Sequence, residues 1–330
     1  MTFKNKNILV VGGAGYVGNE VIKYFLRKKV NVTCLDNLIY GQKFNLKHKR
    51  LKFLNLDFSK KSQIKKINEY YEAIIILAGL VGDPITKKYA SLSIKINEKA
   101  TMNLIKYFNE RKRCNKLFFI STCSNYGLVK KNVKIKETAA LKPLSLYAKS
   151  KVKIEKILLK KKKYSFKPTI FRFATAFGLS DRMRYDLTIN QFVLEMLVKK
   201  EIQIYDHKTW RPYCHLKDFA RLLYKSFRAD PKIIDGQVFN AGSNRNNFNK
   251  IQIANAVKKY VNGKITIIKK SKDKRNYKVN FNKLKNKLNF TCIYVLYYGI
   301  KTILHNLKKQ KKNTLKKNFI LGNFKVVNKY

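Results

Sequence analysis

Short runs of consecutive apolar residues alternate, through the first half of the chain, with longer stretches in which apolar positions return every third or fourth residue. The short runs predict strands at Asn7 to Val11, Asn31 to Leu35, Leu51 to Leu54, Ala73 to Leu77, Lys116 to Ile120 and Thr169 to Phe173. They are apolar throughout instead of alternating, which is the mark of parallel strands covered on both faces. The longer stretches predict helices at Tyr16 to Lys28, Lys61 to Tyr70, Ser91 to Arg113 and Ser145 to Lys162. Strand, helix and strand in succession build βαβ units, so the expected fold is α/β with a doubly wound parallel sheet. Past Gly178 the alternation gives way to shorter elements carrying charge and aromatic rings, at Asp181-Arg182-Met183-Arg184, Trp210-Arg211-Pro212-Tyr213 and Asp273-Lys274-Arg275. The expected division is a sheet domain over 1–178, a smaller substrate-binding lobe mainly over 179–307, and a basic tail over 308–330, with part of the later chain returning to the sheet. In the tail, Phe319, Ile320, Leu321 and Phe324 offer apolar surface for packing back on the body.

Directly after the first predicted strand stands Gly12-Gly13-Ala14-Gly15-Tyr16-Val17-Gly18, with a helix opening behind it. Backbone that approaches a pyrophosphate leaves no room for a Cβ, and the free N–H groups at a helix start bind the anion. At the end of the second strand Asp36, followed by Asn37, stands where a carboxylate can take the ribose hydroxyls of an adenosine. A carboxylate there repels a 2′-phosphate, and no arginine follows at once, so NAD is expected in preference to NADP and the sheet is expected to be of the Rossmann type. A glycine turn beside a surface aspartate is the bland alternative, and the order of strand, glycines and helix argues against it.

Further on, Tyr147-Ala148-Lys149-Ser150-Lys151 puts a tyrosine and a lysine four residues apart near the start of a helix, so both project from one face. A phenol titrates near 10 in water, and a neighbouring cation draws it toward the range useful for proton transfer. Such a pair arises by chance on many lysine-rich helices. Its company gives it weight: the strand before it ends in Ser121-Thr122-Cys123-Ser124-Asn125-Tyr126-Gly127, which delivers hydroxyls to the carboxyl edge of the sheet.

With these motifs in order, the chain resembles the extended short-chain dehydrogenases of the NAD-dependent epimerase/dehydratase family, which include UDP-galactose 4-epimerases and nucleotide-sugar 4,6-dehydratases. The resemblance runs from about Asn5 to Leu307. Beyond the motifs already given it rests on Asp57-Phe58, Leu77-Ala78-Gly79, Asn97, Arg172-Phe173 before Gly178, Arg211-Pro212-Tyr213-Cys214-His215 with Asp218, Val238-Phe239-Asn240 and Arg275. It implies that Tyr147 is the acid/base, Lys151 its electrostatic partner and a ligand of the nicotinamide ribose, and Thr122 the hydroxyl that bonds the reacting sugar oxygen. It puts Asp57 and Phe58 beside the adenine, Leu77, Ala78, Gly79, Ser121 and Phe173 along the cofactor, and Asn97 where it orders the active-site backbone. Arg211 and Arg275 match positions that clamp a diphosphate, and Arg182, Arg184 and Asn190 fall in the expected substrate loop. His215 reads as a structural histidine. Cys123 and Ser124 stand where the dehydratases carry an Asp-Glu pair, which removes the acid and base that dehydration needs.

The function expected is therefore NAD-dependent epimerisation of a nucleotide sugar by transient oxidation at a ring carbon, C4 being the expected one. Reduction of a 4-keto nucleotide sugar with NAD(P)H is the alternative within the enzymes. A non-catalytic nucleic-acid-binding or structural role is the alternative outside them. That last reading draws on charge, because 73 lysines and arginines face 19 acidic residues for a net charge of +54. The excess is spread along the whole chain and no nucleic-acid motif accompanies it, so no nucleic-acid partner is expected, while an anionic substrate is favoured. Five cysteines without close pairing suggest neither disulfides nor a metal site. With no apolar run long enough to span a bilayer and no leader-like start, a cytoplasmic protein is expected. The family resemblance, whose members commonly pair through two long helices, implies a homodimer with the segments Ser91 to Arg113 and Ser145 to Lys162 as the interface.

Overall fold

The computed structural model describes residues 6–129, 133–160, 163–268 and 276–327. At its centre lie strands β1 (Asn7–Val11), β2 (Asn31–Leu35), β3 (Leu51–Leu54), β4 (Tyr71–Ile76) and β5 (Cys114–Thr122), joined by Lys167–Phe173 and Gln237–Ala241. These seven form one sheet in the order Gln237–Ala241, Lys167–Phe173, β5, β4, β1, β2, β3. Every pairing in it is parallel. The order runs outward from β1 in both directions, so the chain reverses there, and a crevice opens at the carboxyl ends of β1 and its neighbours. Register fixes its floor: Val11 pairs with both Leu35 and Ile76, so the loops that follow these three strands leave the sheet side by side.

All six predicted strands are present. The seventh, Gln237–Ala241, lies outside them because its apolar run is only Val238 and Phe239 before Asn240 interrupts it. Of the helix predicted over Lys61 to Tyr70, only the turn Lys61–Ile64 is helical. The chain has to enter β4 at Tyr71, and Tyr70, which the helical pattern would bury, is exposed. The segment predicted as one helix from Ser91 is three: Ala90–Ile94, a π-helical stretch Lys95–Ala100, and Thr101–Arg111. Thr101 Oγ1 donates to the Ile96 carbonyl at 3.1 Å, five residues back, which accommodates the extra residue of the wider turn. Such π-turns re-aim side chains near functional sites, and this one carries Asn97.

Each face of the sheet is covered. Helix α1 (Tyr16–Arg27) packs against Leu216–Arg228, with Phe25 edge-on to Tyr224 and Phe227. On the other face Leu104, Phe108, Ile154 and Leu158 close over Leu9, Ile74 and Phe119. A third apolar core, built from Phe177, Phe192, Met196, Ile202, Ile253, Ile300 and Ile303, belongs to the smaller lobe. There Trp210–His215 runs parallel to Thr175–Phe177 and antiparallel to Asn247–Asn249. The last described residues return to the body: the Val327 N–H donates to the Ile39 carbonyl at 2.9 Å, and Tyr185 donates to Leu321 at 2.8 Å.

Candidate active site

Between the carboxyl edge of the sheet and the smaller lobe lies a cleft of about 570 Å³. The sheet side contributes the glycine loop and the ends of β2, β4 and β5, and the lobe contributes Arg182, Arg184 and Arg211.

The glycine loop has the shape a dinucleotide phosphate requires. Gly12 sits at φ +82°, and a Cβ on it would stand 2.6 Å from the Ala78 backbone. A Cβ on Gly18 would meet the Gly13 carbonyl at 2.5 Å, which is what lets α1 start so close to β1. At Gly15 a Cβ would meet only the Gly12 carbonyl, at 3.1 Å, leaving the loop open toward the cleft. Gly12, Gly15, Tyr16, Val17 and Gly18 all line it. Tyr16 does so while its phenol is turned inward, donating to the Gly178 carbonyl at 2.6 Å. Asp36 is oriented by its own surroundings, accepting from the N–H of Ala14 at 3.1 Å and of Leu38 at 2.8 Å. Burial pushes its carboxyl up, and those two N–H donors oppose the rise. Asn37, Asp57, Phe58, Leu77, Ala78, Gly79, Ser121 and Phe173 complete the wall expected around the cofactor. A Cβ-free cradle, an oriented carboxylate and an apolar trough fit NAD.

The helix Leu146–Lys160 brings Tyr147 and Lys151 to the same cleft as Thr122 and Ser124. Thr122 Oγ1 accepts from the Ser124 N–H at 3.1 Å, and Ser121 Oγ accepts from Asn125 Nδ2 at 3.0 Å, so both hydroxyls are fixed by the tight turn that ends β5. Lys151 Nζ lies 4.7 Å from the centre of the Phe119 ring and 5.8 Å from that of Tyr147. Burial lowers the lysine to about 8, with Glu155 acting against the fall. Loss of water holds Tyr147 well above its ordinary range, and the cation that opposes this is Arg184, while the Asp83 carboxylate adds to the rise.

One expected ligand contact is a support instead. Asn190 is fully buried off the cleft wall, its amide spent on Tyr16 Oη at 2.7 Å, the Arg184 carbonyl at 2.9 Å and the Gly178 N–H at 3.2 Å. Asn97, expected to order the active-site backbone, grips both the N–H and the carbonyl of Leu80, at 2.8 and 3.0 Å, and so shapes the loop after β4 without lining the cleft. Arg182 lies over the Tyr40 ring at 4.7 Å and is lowered to about 10 by burial and by Arg184. Against burial, the Asp186 carboxylate lifts Arg184 above its ordinary value, with Nε to Oδ1 at 3.1 Å. Arg211 reaches the Trp210 carbonyl at 2.7 Å and faces Tyr277. Arg275 lies outside the described residues. His215, read as a structural histidine, accepts the Lys217 N–H on Nδ1 at 3.2 Å, capping the helix Leu216–Arg228, while its Nε2 is buried without a hydrogen-bond partner.

Sequence reasoning missed Asp83, Tyr40 and Asp186, all on the cleft wall, and a buried network beneath it. Glu155 accepts from Arg172 Nη2 at 2.7 Å and from Asn125 Nδ2 at 2.8 Å, and Arg172 Nη1 donates to Tyr126 Oη at 3.0 Å. A signal for Glu155 existed, since it continues the spacing of Tyr147 and Lys151 by four along one helix face.

Fold and cleft together define a dinucleotide-binding enzyme of the extended short-chain dehydrogenase architecture. Residues 8–242 match the model of the NAD dependent epimerase/dehydratase family, and the chain belongs to that family. It is 28% identical to a UDP-glucose 4-epimerase of Lacticaseibacillus casei over 273 residues, covering 76% of this chain and 80% of that one. Its fold matches the UDP-glucose 4-epimerase of Thermotoga maritima, solved with UDP-glucose, at a TM-score of 0.83 and 24% identity over 92% of this chain and 99% of that one. It also matches a dTDP-glucose 4,6-dehydratase of Bacillus anthracis, solved with NAD, at 0.77 and 22% identity over 92% and 97%. NAD is the cofactor of the family. Among the described residues no helix is long and apolar enough to cross a membrane.

Proposed function

We propose that this enzyme epimerises a nucleotide sugar at a ring carbon, C4 in the first instance, by oxidising it and reducing it again within one binding event. The observation that carries the reading is the convergence of Tyr147, Lys151 and Thr122 on a cleft that also holds the glycine cradle and three arginines. NAD bound in the cradle supplies the oxidising and reducing equivalents. Thr122 holds the reacting sugar oxygen, and Tyr147 takes the hydroxyl proton and later returns it. Desolvation raises the Tyr147 phenol and Arg184 opposes the rise; Lys151, its Nζ 5.8 Å from the ring centre, is the second cation placed to stabilise the phenolate at the moment of transfer. Arg182, Arg184 and Arg211 suit an anionic diphosphate, to which guanidinium presents its planar fork. Water elimination has no support in the turn after Thr122: Cys123 is buried with its thiol pushed up by desolvation, and Ser124 is no carboxylate.

The experiment is to denature purified protein, identify any released nucleotide by mass spectrometry, and incubate fresh enzyme with nucleotide sugars without added cofactor. Released NAD with interconversion of two 4-epimers, lost in Tyr147→Phe, supports the reading. Protein that stays inert until NADH or NADPH is supplied with a keto sugar would replace it with the reductase. Pairing of two chains through the helices of Ser91 to Arg113 and Leu146–Lys160 belongs to the same proposal.

A further inference from the structure

The stretch Asn318 to Val327 is tied to both sides of the cleft. On the sheet side the Val327 N–H donates to the Ile39 carbonyl at 2.9 Å, and Asn323 Nδ2 to the Val81 carbonyl at 2.8 Å. Ile39 follows Asp36 in the loop after β2, and Val81 follows Gly79 in the loop after β4, so both ties fall on loops that border the dinucleotide half of the cleft. On the lobe side the Leu321 carbonyl accepts from the Tyr185 N–H at 2.8 Å, and the Gly322 carbonyl from Arg182 Nη2 at 3.3 Å. Phe319, Asn323 and Phe324 of the same stretch line the cleft. The family match ends at residue 242, so the crossing is made by chain that lies outside it.

Hydrogen bonds hold this crossing more than burial does. Leu321 to Val327 belong to no helix or strand. Phe319 and Val326 pack on the cores of the lobe and of the sheet, but Ile320 is 74% exposed and Val327 55%, and Leu321 and Phe324 are exposed as well. Lifting the stretch away therefore uncovers little apolar surface. Segments held by few buried apolar contacts and by hydrogen bonds near solvent open at a free-energy cost well below that of global unfolding.

We infer that Asn318 to Val327 is a strap across the bound dinucleotide, which has to lift before NAD enters or leaves. The inference rests on the reading of the cleft as an NAD site, and it suits an enzyme that keeps its cofactor through the catalytic cycle. A strap of this kind multiplies the rates of entry and exit by the same open fraction, so it slows both and leaves the affinity unchanged. A fixed piece of wall acts on release alone.

The test follows NADH fluorescence by stopped flow, for association with nucleotide-free enzyme and for release into excess NAD. Full-length protein is compared with a chain ended at Lys317 and with the double variant Asn323→Leu, Val327→Pro. The double variant removes both donors on the sheet side, and it decides the matter if the shortened chain does not fold. Each neutral hydrogen bond is worth about fivefold in an equilibrium, so losing two should speed association and release alike by about tenfold or more. Association that stays at the wild-type rate overturns the inference, whether or not release changes. Full-length protein that takes up no NADH overturns the reading of the cleft on which the strap depends.

Discussion

Glu155→Gln puts the buried network along the helix Leu146–Lys160 to the test. Glu155 is 1% exposed and Arg172 4%, and the guanidinium meets the carboxylate through Nε at 3.1 Å and Nη2 at 2.7 Å. A glutamine turns one acceptor into a donor facing that fork and leaves a buried cation uncompensated, which costs about 3 to 5 kcal/mol. With an unfolding entropy of about 2.1 cal/mol/K per residue, a chain of 330 residues loses about 4 to 7 °C of Tm. Differential scanning calorimetry at pH 7.5 reads this directly. The same change acts on catalysis, because Glu155 is the group that lifts Lys151 against burial. Without it the lysine loses its proton at a lower pH, so the alkaline limb of the rate profile moves toward acid. Replacing both partners, as Glu155→Leu with Arg172→Met, removes the unpaired charge and recovers much of the stability. A Tm within 1 °C of wild type together with an unmoved alkaline limb would refute the reasoning.

Lys151→Met is expected to stabilise the fold while abolishing turnover. Its pKa falls from 10.5 to about 8 on folding, so below pH 8 the buried cation opposes folding by on the order of 3 kcal/mol. That handicap fades as pH rises from 8 toward 10.5, so the Tm advantage of the variant should be present at pH 7 and gone near pH 10.5. Gly12→Ala places a Cβ 2.6 Å from the Ala78 backbone at φ +82° and should cost more than about 1 kcal/mol along with NAD binding by calorimetry. His215→Ala removes a helix cap and should cost about 0.5 to 2 kcal/mol with kcat unchanged; a large fall in kcat would make it more than structural.

The sheet was legible because buried parallel strands leave continuous apolar runs, and the glycine loop because its spacing is a steric requirement that no other residue meets. Where the apolar run shrank to Val238 and Phe239, the seventh strand escaped notice. Local pattern could not show the π-turn at Lys95–Ala100, whose register is set by Thr101 and by the loop that Asn97 has to reach. Nor could it separate contact from support at Asn190, which stands at the right place in the chain while tertiary hydrogen bonds consume its amide. The sign of the effect on Tyr147 also depends on three dimensions. Spacing showed a lysine four residues away, while desolvation, Asp83 and Arg184, which set the balance, come from burial and from distant segments.

The central claim, that oxidation and reduction occur on one substrate without release, is tested most directly by isotope tracing. A nucleotide sugar carrying deuterium at C4 is incubated with the enzyme without added cofactor, and the product is examined by NMR. Retention of the label at C4 of the inverted sugar is expected. Exchange of the label with solvent, or inversion at a carbon with no change at C4, would contradict the account.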